Sequence, residues 1–173
     1  MGWLRKALVL GLGLAGAVAG AEEWRSEPIV LIVSAEWAGP DAIDLPTLQR
    51  VYLDRQTHVA GTRTRALHLP AGSLIRAAFS RTALGRSEAS LERYWIQQAL
   101  LGGGLPPREV ASAAAVLRRV RSEPGTIGYV ALSQLKHLDA TGIRTLPLTV
   151  DGRTLQAGEP GYPLRFRAPA AGP

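Results

Sequence analysis

Apolar positions along this chain alternate between two rhythms, one of strands and one of helices. Pro28 to Ser34 (PIVLIVS) is a near-continuous β-branched run, the pattern of a strand buried on both faces. A loop with Trp37, Gly39 and Pro40 follows. Asp44 then stands as a helix N-cap, with Pro46 in the first turn where its missing N–H costs little. Leu48, Val51 and Tyr52 give that helix its apolar face, and it ends near Asp54. A polar loop from Arg55 to Gly61 leads into a second strand, about Thr64 to Leu69.

Next comes a tight Ala71-Gly72-Ser73 turn and a helical pattern at Leu74, Ile75, Ala78, Phe79 and Leu84, with Gly85 as its C-cap. Ser87 caps another helix, whose face is Leu91, Tyr94, Trp95, Gln98 and Leu101. Three glycines, Gly102 to Gly104, stop it, and Pro106-Pro107 prevents its resumption. Ser112 begins a further helix with Val116, Leu117 and Val120 inward and Arg118, Arg119 and Arg121 outward. Pro124-Gly125 turns the chain into a compact strand, Thr126 to Ala131. Ile143 to Val150 reads as one more strand, closed by an Asp151-Gly152 turn, and Tyr162 to Phe166 as a final extended segment. Strands separated by helices predict an α/β domain with a small, mainly parallel sheet. Ligands of such sheets sit at the carboxyl ends of strands.

The N-terminus changes this picture of a single domain. Trp3 to Lys6 is a positive segment, Ala7 to Gly20 is an apolar and glycine run, and Ala19-Gly20-Ala21 is a small-x-small cleavage site. That layout predicts a secretory signal peptide over 1–21 and a periplasmic mature chain, the alternative being an uncleaved N-terminal anchor; the apolar run of about 14 residues is shorter than the roughly 20 of a spanning helix. The domain is then 22–167, with a disordered tail over 168–173. Gly11, Gly13 and Gly16 formally match a dinucleotide fingerprint but lack its strand and helix, so no nucleotide cofactor is expected.

Charge and composition narrow the chemistry. Zero Cys excludes disulfides, thiol catalysis and cysteine zinc sites. The net charge of +6, about +4 without Arg5 and Lys6, favours anionic ligands or surfaces, while export argues against nucleic acid. His58, His68 and His137 have no metal-ligand spacing, and Ser73 lacks the second glycine of an acyl-transfer elbow. No enzyme, metal or cofactor is expected. What stands out is the strand–Gly72–Ser73–helix order, which aims backbone N–H groups and a hydroxyl at one spot that can hold an anion. Ser73 would donate to that anion or simply cap its helix. Arg76, one turn on, would close over it or lie on a solvated face.

The order of these segments resembles one lobe of the periplasmic phosphate-binding proteins of ABC transporters, the type II periplasmic-binding fold. Leu48 to Arg55 (LQRVYLDR) looks like that family's L-x-D-I-F/Y-L-G-K/R helix. Pro124 to Val130 (PGTIGYV) looks like its PGAIGYV strand, and Tyr162-Pro163-Leu164 like its YPL segment. The resemblance implies a single-lobe, periplasmic-binding-protein-like α/β domain. It also implies phosphate or oxyanion binding at Gly72, Ser73 and Arg76, with an ABC permease or another periplasmic protein as partner. The family's phosphate loop reads about R-x-D-G-S-G-T, and only Gly72 and Ser73 match it. Leu69, Ala71, Leu74 and Ile75 stand at the other positions. Those apolar replacements motivate the alternative, a ligand-free interaction or sensor module that retains the fold.

Overall fold

The computed structural model describes residues 24–169, so the expected signal peptide and most of the expected tail lie outside the described residues. The first strand, β1 (Trp24–Ser34), starts earlier than its apolar run because its exposed first half pairs with the last strand. A short β2 (Ile43–Asp44) leads into α1 (Leu45–Tyr52), where Asp44 accepts the Thr47 N–H at 2.7 Å as the N-cap. Then come a small hairpin of β3 (His58–Val59) and β4 (Thr62–Arg63), β5 (Arg65–His68) and α2 (Leu74–Thr82). The chain continues through α3 (Glu88–Leu100), β6 (Arg108–Glu109), α4 (Ala113–Ser122), β7 (Thr126–Ala131) and α5 (Leu132–His137). It ends with β8 (Ile143–Thr145), β9 (Leu148–Val150), β10 (Arg153–Leu155) and β11 (Arg165–Pro169).

The expected α/β layering is present: a six-stranded sheet with helices packed on it. Its order is β11-β1-β7-β5-β6, with β8 beside the end of β1. The half that carries the candidate site is parallel, β5 lying between β7 and β6. β1 joins antiparallel to β7, and antiparallel to β8 and β11 on its other edge. Ile29 to Val33 are buried on both faces, as their unbroken apolar run requires.

Several expectations shift at this level. Ile143 to Val150 is two strands, because Leu146 donates to the Leu31 carbonyl in the main sheet while the Pro147 carbonyl accepts from Ile43. β9 therefore turns away into a second sheet, β10-β9-β2. Leu74 and Leu101, expected on apolar faces, are exposed: each falls at a helix end beyond the packed stripe. β11 runs to Pro169, past the expected domain limit at 167, since Ala168 and Pro169 pair with Arg25 and Trp24. The prolines that follow α3 do not preclude a strand directly after them, and Arg108-Glu109 pairs with Leu67-His68.

One aromatic cluster knits the sheet to its helices. Phe79 of α2 stacks on Tyr129 of β7 with centroids 3.9 Å apart and planes 4° apart. Tyr52 of α1 lies 4.7 Å from Phe79 and 5.3 Å from His68 of β5. Burial of such rings is among the largest single contributions to a core.

Candidate anion site at the carboxyl ends of β5 and β6

β5 ends at His68, and the chain reverses through Pro70-Ala71-Gly72-Ser73. The Ser73 N–H donates to the Pro70 carbonyl at 3.1 Å, and Gly72 has φ of +82°. That is a type II turn, which needs a residue tolerant of positive φ at its third position. Ser73 is the N-cap of α2, its Oγ accepting the Arg76 N–H at 3.4 Å. Gly72, Ser73 and Arg76 are thus brought together where the strand order and turn predicted.

The side chain of Arg76 does not extend into solvent. It folds back over the strand end, where Nη1 donates to the Leu69 carbonyl at 3.0 Å and to Glu109 Oε2 at 2.6 Å. Its Nε lies 2.8 Å from Glu88 Oε2, an ion pair that is off the line of the N–H bond. Glu109 Oε2 also accepts the Ala71 N–H at 3.3 Å. Glu88 accepts in turn from the buried Ser80 hydroxyl. A carboxylate of the protein itself therefore sits against the turn, in contact with both a backbone N–H and the guanidinium.

Neither glutamate was singled out by sequence pattern. Glu88 reads as an ordinary acidic first-turn residue of α3, and Glu109 follows a glycine- and proline-rich loop. Only the pairing of β6 with β5 carries Glu109 to the turn.

Beneath the site, His68 is buried, and its Nδ1 lies 2.9 Å from the Tyr129 hydroxyl. The Leu69 N–H donates to the same hydroxyl at 3.4 Å, so the phenol oxygen serves both the backbone and the imidazole. Burial, helped by the nearby Arg76 charge, pushes the His68 pKa down to about 3. Burial likewise raises that of Tyr129. These two groups form a neutral floor under a charged rim.

No three His, Asp or Glu side chains gather as a metal-holding group among the described residues. Among those residues no helix is long and apolar enough to cross a membrane. Arg119 and Arg121 are engaged locally, with Glu123 at 2.6 Å and with the Asp139 and Thr141 carbonyls. Tyr94 is buried and Trp95 half-buried, the two in edge contact.

The architecture is periplasmic-binding-protein-like, as the comparison with solved structures shows. An ABC-type phosphate transport receptor from Vibrio cholerae superposes with a TM-score of 0.59 at 11% identity, over 82% of this chain and 55% of that one. PstS from Borrelia burgdorferi gives 0.57 at 12% identity, over 83% and 56%. The chain spans about half the length of these structures. No protein-family model and no curated protein matches the sequence.

Proposed function

We propose that this chain is an exported, periplasmic, non-catalytic binding module of the substrate-binding-protein class, with its anion position filled from within. The observation that carries this reading is Glu109. Its carboxylate touches the Ala71 N–H and the Arg76 guanidinium at the carboxyl end of β5. Charge-assisted contacts of this kind are what an external oxyanion would need there. Of the apolar residues around the turn, Leu69 and Ile75 are buried in the core and only Leu74 offers a large exposed apolar side chain. It is therefore the self-filled anion position that favours a module that keeps the fold, with a periplasmic protein as its partner.

A second reading, phosphate or oxyanion capture for ABC-type uptake, draws on one feature of the same site. Glu109 is about half exposed, at 52%, and exposed ion pairs contribute only about 0–1 kcal/mol. A dianion could displace it and bind at Gly72, Ser73 and Arg76.

Thermal unfolding in phosphate, sulfate and a neutral control separates the two. Self-occupancy predicts no selective shift for the natural chain and a phosphate-dependent rise for Glu109→Gln. Uptake predicts a rise of roughly 5–10 °C for the natural chain near saturation, abolished in Arg76→Gln.

A further inference from the structure

The opposite edge of the sheet holds a different arrangement. The amino ends of β5 and β7 and the start of β6 border a cavity of about 490 Å³, a volume typical of small-molecule sites. Three arginines line it: Arg63, Arg65 and Arg108. Among the described residues none of them pairs with a carboxylate. Two carboxylates border the cavity as well. Glu123 is neutralised by Arg119 at 2.6 Å, and Asp54 Oδ2 accepts the Leu105 N–H at 3.1 Å. Three guanidinium groups therefore face a single carboxylate that lacks a cationic partner.

Strand register explains the gathering. Arg65 is paired with Thr126, and Leu67 with Arg108, in parallel ladders, so Arg65, Arg108 and Thr126 share one face of the sheet. Alternation along β6 sends Arg108 to this cavity and leaves Glu109 to Arg76. Thr126 is fully buried, and its Oγ1 has no hydrogen-bond partner among the described residues. Leu105, Pro106 and Pro107 supply an apolar wall.

We propose that this cavity is a binding site for a small polyanion, a molecule bearing two or three carboxylate or phosphate groups. The arginine forks suit both kinds of oxyanion, and the site is independent of the α2 turn. Arg65 and Arg108 grip the charges, and Arg63 closes the rim.

The test is calorimetric titration of the full chain with citrate and with inorganic pyrophosphate at constant ionic strength. Saturable binding of at least one probe is expected, and which probe binds distinguishes carboxylate from phosphate ligands. Arg65→Gln and Arg108→Gln should each weaken it at least about tenfold, while Arg76→Gln leaves it unchanged. These arginines are exposed, so the variants should fold, as circular dichroism will report. If a glutamine variant fails to fold, Arg→Lys at that position keeps the charge and loses the fork, and must still weaken binding. The proposal is overturned if neither probe binds saturably, or if binding survives both variants. It is equally overturned if Arg76→Gln abolishes binding while Arg65→Gln retains it, which would place the anion at the turn.

Discussion

Gly72 and Ser73 contribute to stability by different routes, and substitutions separate them. A Cβ at Gly72 would meet nothing within 4 Å, so Gly72→Ala costs only the positive-φ strain, about 1–2 kcal/mol. Ser73→Ala removes a long capping bond and should cost about 0.5–1 kcal/mol. Denaturant unfolding measures both. His68 adds a pH dependence whose sign follows from its buried, neutral state. Below 6.5 the unfolded chain binds a proton at this imidazole, and the native chain does not until pH is near 3. Stability is therefore fully present above 6.5 and falls as pH drops from 6.5 toward 3, by up to about 1.4 kcal/mol per pH unit from this group. The pH profile of His68→Gln should lack that component; an unchanged slope would count against a neutral native His68.

Packing of α4 on β7 depends on the glycine between them. A Cβ at Gly128 would stand 2.4 Å from Val116 Cγ1 and 3.1 Å from Val120 Cγ2. Gly128→Ala should destabilise by about 1–3 kcal/mol through overpacking, seen as a lower denaturation midpoint. The far end of α3 behaves in the opposite way. Ile96, Leu100 and Leu101 are exposed there, so Leu100→Glu should change stability by no more than about 0.5 kcal/mol in the same measurement. Between these extremes lies the corner at Leu146-Pro147, where one apolar run serves two sheets.

The whole domain presents cationic groups at both ends of its parallel strands and neutralises only one set internally. Arg76 is matched by Glu88 and Glu109, whereas among the described residues Arg63, Arg65 and Arg108 form no ion pair with a carboxylate. Anion-dependent stabilisation should therefore be insensitive to Glu109→Gln if it arises at the amino edge, and should appear only in that variant if the turn is self-occupied. Salt should weaken either response, since both sites are partly open to solvent.

The sequence by itself determined which segments become strands and helices where apolar periodicity and caps agree. Asp44, Ser73, Ser87 and Ser112 all cap the helices they precede, and the runs at Ile29 to Val33 and Thr126 to Ala131 are buried strands. It also placed Gly72, Ser73 and Arg76 together, because a turn and the first helical residues are local in the chain. Tertiary structure alone decided what faces them. Glu109 lies 33 residues from Arg76, and a two-residue strand between prolines and a helix has too short a pattern to show in sequence. The antiparallel setting of β1, the splitting of Ile143 to Val150 and the three arginines of the amino edge are likewise matters of register. Register depends on which strands pair, and that is settled by long-range burial and hydrogen bonding, not by any local run of residues.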